Sequence, residues 1–130
     1  KASRKYIGIL LQINDIKYFA PLSSFKVKHK KMKESVDFIK IHNYAVINLN
    51  NMIPVPEGEY SLVDVNGTKD QQYRYLMQAE SREINRQKNR IMKNADIVYK
   101  HKLRNGNSTP LAKRTNNFVE LEKRYRIYYR

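Results

Sequence analysis

The 130-residue chain carries 26 Lys and Arg against 12 Asp and Glu, so its formal net charge at pH 7 is +14. It contains no Cys, which excludes disulfide bonds and thiolate zinc sites. An apolar fraction of 41%, with ten Tyr and four Phe, is enough for one hydrophobic core and is untypical of a disordered basic tail. This length predicts one domain over residues 1–130, rich in strands over 1–69 and helical over 70–130.

The excess of positive charge indicates the kind of partner. A strongly basic surface attracts polyanions, and each phosphate that it neutralises releases counterions, so nucleic acid is the expected partner. The alternative is a basic surface that serves only solubility. No run of roughly 18 apolar residues and no signal peptide are visible, so we expect a cytoplasmic protein with no membrane partner.

Residues 1–69 predict a series of β-strands. Apolar and aromatic runs at 5–13 and 16–22 flank Asn14-Asp15, a two-residue hairpin signal. Pro21 has no N–H to donate and is expected to end the second strand. Further strands are predicted at 38–41, 44–49 and 59–65, with an edge strand or an irregular segment at 52–56.

Residues 70–130 predict helices. The first is expected from Asp70, a candidate N-cap, to about residue 93, since this stretch lacks Gly and Pro and its apolar residues recur at broadly helical spacing. A second helix is predicted at 95–103, a basic linker at 108–115 and a last helix at 116–129. Together the two halves predict an α+β fold, a compact single domain with a twisted, mostly antiparallel sheet or partial barrel and packed helices.

The lysine-rich segment 23–37 follows the second predicted strand and is expected to be a long loop with room for a helical turn. It begins with Ser23 and Ser24 and continues with His29 among five lysines. Strand ends that open into loops hold functional groups on a rigid base. Hydroxyls and cations placed there can stabilise a phosphorane, and a histidine or a lysine of lowered pKa can transfer protons. The same residues also fit a solvated loop that only binds phosphates.

Other common catalytic motifs are missing from the sequence. There is no P-loop, no HExxH and no EF-hand loop, and the carboxylates form no DxD or ExD cluster. A two-metal nuclease needs grouped acids, so we expect no metal and no cofactor. RNA can instead be cleaved by attack of its own 2′-OH on the adjacent phosphate, which needs only protein side chains.

Several segments, in one order along the chain, carry a family resemblance. They are YIGI at 6–9, KYFAPLSS at 17–24 with Lys26 and Lys28-His29 after it, INL at 47–49 with MIPV at 52–55, and NF, LE and RYR between 117 and 126. Together they resemble the type III toxin–antitoxin endoribonucleases, the ToxN/AbiQ family, over nearly the whole chain.

The resemblance implies a metal-independent endoribonuclease that leaves 2′,3′-cyclic phosphate and 5′-OH ends on its mRNA substrate. It implies inhibition by an antitoxin RNA whose repeats fold as pseudoknots, in higher-order assemblies of toxin and RNA. It also implies a twisted antiparallel sheet. Members of the family halt growth, and some abort phage infection.

The resemblance also implies site residues. The catalytic candidates are Ser24, Ser23, Lys26, Arg4 and His29. Phe25 stands where the family usually has proline, and the active-site tyrosine that relatives carry upstream has no counterpart in this sequence. The cations expected to contact the RNA backbone are Lys5, Lys28, Lys30, Lys31, Lys33, Arg82 and Arg86.

Alternatives remain open for the function and for several side chains. The protein is either such a nuclease or a non-catalytic RNA-binding protein; a DNA-binding regulator is disfavoured because no helix-turn-helix pattern is visible. Arg82, Arg86 and Arg90 predict one helical stripe that is either solvated or part of an RNA groove. Isolated histidines and strand aromatics are expected to be structural; these are His42, His101, Tyr18, Phe19 and Tyr44.

Overall fold

A computed structural model describes residues 7–61, 67 and 69–129. The strands are β1 Gly8–Ile13, β2 Ile16–Ser24, β3 Phe38–Ile41, β4 Ala45–Asn48 and β5 Ile53–Pro54. The helices are α1 Gln71–Arg86, α2 Lys88–Asn105, α3 Pro110–Arg114 and α4 Phe118–Tyr128, and single 3₁₀ turns occupy Val27–Lys30 and Leu49–Asn51. In the part of the chain so described, no helix has both the length and the apolarity needed to cross a bilayer.

The strands form one antiparallel sheet in the order β1-β2-β4-β3, with β5 also paired to β2. The long strand β2 organises it, because its first part pairs with β1 and its last three residues pair with β4. β1 and β3 are the two ends of this order, so the described sheet is open. The prediction of an α+β fold with a mostly antiparallel sheet is confirmed, and the sheet does not close into a barrel.

The predicted hairpin is present, but Pro21 does not end β2. Asn14 and Asp15 both have positive φ, 49° and 66°, as a tight two-residue turn requires. Leu22 donates its N–H to Ile7 of the β1 segment at 2.9 Å, so the nitrogen of Pro21 faces the other edge of β2. On that edge β5 stops pairing at Phe19 and β4 starts at Leu22. Proline is tolerated because it falls in the gap between two partner strands.

The sheet is covered on both faces. Ile39, Ile41, Ala45 and Ile47 project from β3 and β4 to one face and belong to the main core cluster, with side chains from the helices. Those helical residues are Ile91, Ala95, Val98, Tyr99 and Phe118. On the opposite face Phe38 and Val46 are buried beneath the segment that connects β2 to β3. The alternation of side chains along a strand therefore separates a helix face from a connection face.

A buried carboxylate joins the sheet to two helices. Glu122 of α4 is 7% exposed, and its Oε2 accepts hydrogen bonds from the hydroxyls of Tyr18 in β2, at 2.5 Å, and Tyr99 in α2, at 2.7 Å. The rings of Tyr18, Tyr99 and Phe118 pack with centroids 5.3–5.8 Å apart. Burial and the bond to Glu122 raise the pKa of the Tyr18 phenol. Tyr18 is a core residue, as predicted.

Three predictions about the second half need correction. The long helix breaks at Gln87 and not near residue 94, because the Gln87 carboxamide donates to the carbonyl of Lys40 on edge strand β3, at 3.2 Å. The predicted linker 108–115 contains α3, which Thr109 caps and Pro110 begins. Residues 59–61 form no strand, and residues 62–66 of that predicted strand lie outside the described residues.

A second polar contact fixes the connection between β2 and β3. Asp37, only 3% exposed, accepts two hydrogen bonds from the Arg114 guanidinium at 2.8 and 2.9 Å and one from the Ser35 hydroxyl at 2.8 Å. Hydrogen bonding to Arg114 holds the pKa of the Asp37 carboxyl below its ordinary value of 3.8. The contact ties the start of β3 to α3.

The Glu122→Ala substitution should destabilise the protein by about 2–4 kcal/mol, because two buried phenols lose their acceptor. Glu122→Gln, which retains an acceptor oxygen, should cost less. Glu120→Ala is the matched control on the exposed side of α4, expected to change stability by less than about 0.5 kcal/mol. The free energy of unfolding from urea titration measures all three. Equal effects at 120 and 122 would contradict this role for Glu122.

The Asp37→Asn substitution should cost about 1–2 kcal/mol at pH 7, reduced from the buried-pair value because Arg114 is half exposed. A depressed carboxyl pKa stabilises the fold above the ordinary value of 3.8, and this stabilisation is lost as pH falls through the lower folded-state pKa. The difference in unfolding free energy between wild type and Asp37→Asn should therefore shrink as pH is lowered below about 4. A difference in unfolding free energy that stays constant between pH 7 and pH 3 would refute the stabilising role of the ionised Asp37 carboxylate.

Candidate functional site

The candidate site begins where β2 ends. Ser24 is the last residue of β2 and pairs with Ala45, the first residue of β4. The next residue, Phe25, continues the ladder by donating its N–H to the carbonyl of Tyr44 at 3.4 Å. Ser24 is exposed, although its backbone belongs to a paired strand. Ser24 thus lies at a strand end that opens into a loop, a position at which a rigid strand can hold a functional group, and its role stays a prediction.

Ser23 and Ser24 lie on opposite faces of the sheet. Ser24 is in register with Ala45 and Ile41, whose side chains are buried on the helix face. Ser23 is in register with Val46 and Lys40 on the connection face. Residues directly opposite in antiparallel strands share a face, and neighbours along a strand alternate. The two hydroxyls therefore do not converge on one point. Of the two serines, Ser24 is the one on the helix face.

Lys26 is held in place by His29. The Nδ1 atom of His29 accepts the backbone N–H of Lys26 at 2.8 Å, and the N–H of His29 donates to the carbonyl of Lys26 at 2.9 Å. The imidazole is buried and packs against the rings of Phe25 and Phe38, with centroid distances of 5.5 and 5.8 Å. This reciprocal pair closes the 3₁₀ turn Val27–Lys30 and fixes the backbone two residues after Ser24.

The surroundings of His29 favour its neutral form. Burial, and then the ammonium groups of Lys28, Lys26 and Lys40, lower the pKa of the imidazole below its ordinary value of 6.5. Because Nδ1 accepts a hydrogen bond, the proton of the neutral ring resides on Nε2. In this state His29 has no free lone pair with which to remove a proton from a substrate.

The five lysines of the connection form an exposed cationic surface beside Ser24, here called the lysine surface. It consists of Lys26, Lys28, Lys30, Lys31 and Lys33, all exposed. Within the described ranges none of them makes an ion pair with a carboxylate. Unpaired ammonium groups on a short segment are available to a phosphate backbone.

The predicted arginine stripe is interrupted and partly paired. Arg82 and Arg86 lie on α1, whereas Arg90 follows the break at Gln87 and lies on α2. Arg86 pairs with Glu83, and Arg90 pairs with Glu34. Hydrogen bonds from Arg86 and Gln87 lower the pKa of Glu83 to about 2. Arg82 is exposed. Arg86 and Arg90 are therefore already paired with carboxylates, whereas the lysines of the lysine surface are not.

A cleft of about 440 Å³ adjoins the edge of β3, and sequence reasoning missed it. Its walls include Lys40 and His42 together with the two arginine–carboxylate pairs and Gln87. His42 was expected to be structural or at the surface. The sequence signal that could have indicated this cleft is the segment His42-Asn43-Tyr44, in which two aromatic residues flank a polar one.

Two of the candidate residues, Arg4 and Lys5, lie outside the described residues, so their predicted roles in catalysis and in RNA binding stay predictions. Over 7–61, 67 and 69–129, no group of three or more His, Asp or Glu side chains is arranged to hold a metal ion.

Comparison with known proteins identifies the family. The family model described as toxin ToxN of type III toxin–antitoxin systems matches residues 1–126. Endoribonuclease ToxN of Pectobacterium atrosepticum is 34% identical over 133 residues, which cover 96% of this chain and 75% of the relative. These matches define the class, the toxins of type III toxin–antitoxin systems. Within that class, this chain belongs to the ToxN family.

Solved structures agree with this assignment. A structure from work on a processed non-coding RNA that regulates a bacterial antiviral system matches with a TM-score of 0.78 at 32% identity, covering 93% of this chain and 76% of the other. Another, from work on selective toxin inhibition by a non-coding RNA pseudoknot, has a TM-score of 0.73 at 26% identity, covering 95% and 79%. The family resemblance predicted from the sequence motifs is confirmed.

The geometry of His29 makes a spectroscopic prediction. Its imidazole should titrate below pH 6.5 and should be the Nε2–H tautomer when neutral, because burial opposes the cation and Nδ1 accepts the Lys26 N–H. Two-dimensional ¹H–¹⁵N NMR of the ring measures both, with the signal assigned through its loss in His29→Gln. A titration midpoint at or above 6.5, or an Nδ1–H tautomer, would contradict the contact.

Proposed function

We propose that this protein is a metal-independent endoribonuclease toxin of a type III toxin–antitoxin system, and that Ser24 and Lys26 carry its chemistry. The observation that carries the proposal is the exposed Ser24 hydroxyl at the paired end of β2, directly before the unpaired lysine surface. Membership of the ToxN family and the relative named an endoribonuclease support it.

The proposed reaction is a transesterification within the RNA. The 2′-OH attacks the adjacent phosphate and forms a bond from O2′ to phosphorus, and the bond from phosphorus to O5′ breaks. The proton of the 2′-OH passes to a base, and the departing O5′ takes up a proton. The products are a 2′,3′-cyclic phosphate and a 5′-OH. The protein must stabilise the extra negative charge of the phosphorane, which fixed donors and cations achieve without a metal.

We assign separate roles to the candidate residues. Ser24 donates a hydrogen bond to a non-bridging phosphate oxygen, and Lys26 supplies positive charge and takes part in proton transfer. His29 positions Lys26 through the contact with its N–H, because its Nδ1 is already engaged. Ser23 acts only through the strand, since it lies on the other face. Arg4 remains a candidate for phosphorane stabilisation.

The lysine surface is the proposed track for the RNA backbone. Lys28, Lys30, Lys31 and Lys33 neutralise phosphates of the substrate mRNA, and Lys5, Arg82 and Arg86 extend the positive potential. The same surface suits an antitoxin RNA that folds as a pseudoknot, which would inhibit cleavage by covering Ser24. The similar solved structure from work on toxin inhibition by a non-coding RNA pseudoknot supports this partner. We also propose that several toxins assemble with several RNA repeats.

The Ser24→Ala substitution tests the catalytic role. It should lower the rate of RNA cleavage by about 100-fold or more, the typical effect of removing one donor to a developing oxyanion. RNA affinity should change less than twofold, because the lysine surface is intact. Ser81→Ala, an exposed serine on α1, is the matched control and should leave both quantities unchanged. Cleavage is followed with mRNA in EDTA, and the ends are mapped.

Two results would overturn the proposed function. RNA binding without cleavage by the wild-type protein would favour the alternative, a non-catalytic RNA-binding protein. Cleavage that stops in EDTA and returns with Mg²⁺ would show a metal-dependent reaction.

A further inference from the structure

A second feature lies at the same end of the sheet as Ser24. Ser24, Ala45 and Ile41 form one row across β2, β4 and β3, so the end of β3 is about 10 Å from Ser24, two strand spacings away. The turn from Ile41 to Ala45 stands at this end, and its Tyr44 carbonyl accepts the N–H of Phe25. The β3–β4 turn and the candidate catalytic segment are therefore hydrogen-bonded neighbours.

The turn presents a stacked aromatic pair. The His42 ring lies on the ring of Tyr44 with centroids 5.1 Å apart and planes inclined by only 22°. Nδ1 of His42 contacts Asn43 twice, lying 2.8 Å from its backbone N and 2.7 Å from its side-chain Oδ1, and these contacts hold the imidazole beside the turn. Tyr44 is half-buried and packs against the core, whereas His42 is exposed. The ring is thus anchored on one side and accessible to a ligand.

The backbone of His42 has the conformation of a tight turn. Its φ is 50°, in the left-handed region that a non-glycine residue adopts infrequently. Glycine or asparagine would satisfy such a turn at lower cost. A histidine held there presents a planar ring at the rim of the 440 Å³ cleft.

The chemistry of the cleft suits a base better than a phosphate. The carboxylates of Glu34 and Glu83 lie in its wall, each paired with an arginine, so the cleft has fewer unpaired cations to offer a phosphate than the lysine surface has. The edge of a nucleobase is neutral and carries both donors and acceptors. Guanidinium, carboxamide and carboxylate groups offer the complementary set.

We propose that the His42–Tyr44 pair and the adjoining cleft form a base-binding subsite for the nucleotide next to the scissile phosphate. His42 stacks on that base, and the cleft reads its edge, so His42 determines which base is preferred beside the cut. This inference rests on the proposed function for its position beside the scissile bond. The mechanism is aromatic stacking, a common way to bind unpaired RNA bases.

The test replaces the ring and leaves the turn in place. His42→Asn removes stacking, and asparagine tolerates positive φ. On a set of short RNAs that vary one base on each side of the cleavage point, it should lower kcat/KM for the preferred base about 10-fold, the effect of losing one base–aromatic stack. The preference among the four bases should fall towards equality at one flanking position. His42→Phe should restore part of the preference.

A binding measurement makes the test independent of cleavage. RNA with 2-aminopurine at the flanking position should lose fluorescence on binding the wild-type protein, because the base stacks on His42. His42→Asn should abolish this quenching at saturating protein. Tyr128→Ala is the control: it removes another exposed ring, on α4, and should leave the quenching unchanged. Thermal unfolding of each variant shows whether the fold is retained.

The outcomes separate the two proposals. Wild-type cleavage with unchanged base preference and unchanged quenching in His42→Asn would overturn the subsite and leave the proposed function standing. Quenching that depends on His42, with no cleavage by the wild-type protein, would support the subsite and count against the nuclease. An equal loss of activity for all four bases would show that His42 acts only on the turn.

Discussion

The buried carboxylate of Glu122 is the contact on which the rest of the structure depends. A carboxylate removed from water is costly unless its oxygens are satisfied, and here the phenols of Tyr18 and Tyr99 satisfy one of them while Arg126 approaches the other at 3.5 Å. The three donors come from β2, α2 and α4. Because Tyr18 and Ser24 share strand β2, the contact that positions the helices also anchors the strand whose last residue bears the hydroxyl proposed to donate to the phosphate.

Two polar environments lie at one end of the sheet. The connection face bears the lysine surface, with ammonium groups unpaired and suited to phosphates. The cleft at the edge of β3 holds arginines already paired with carboxylates, which suits the mixed donors and acceptors of a base. Ser24 precedes the lysine surface in the chain and is in register with Ala45 and Ile41, the residue before His42 of the cleft. A single strand of RNA needs both environments, one for its backbone and one for its bases, and the register of β2, β4 and β3 puts Ser24 about two strand spacings from the end of β3.

Local signals predicted local structure well. Asn14-Asp15 predicted a hairpin because these residues tolerate the positive φ that the turn requires. Tyr18 was assigned to the core correctly. The wrong predictions concern residues whose behaviour a distant partner decides. Pro21 continues a strand because of the gap between β5 and β4, and Gln87 breaks a helix because its carboxamide binds β3. Neither partner is visible in the sequence near the residue.

The sequence by itself determined the family, the α+β class, the positive charge and the residue types beside the end of β2. These follow from composition, short-range pattern and motif order. Only the tertiary structure decided that Ser23 and Ser24 face opposite ways, that His29 is engaged by Lys26, and that His42 stands on Tyr44 beside a cleft. Those facts depend on strand register and on contacts between residues far apart in the chain, and a one-residue change of register would reverse every face.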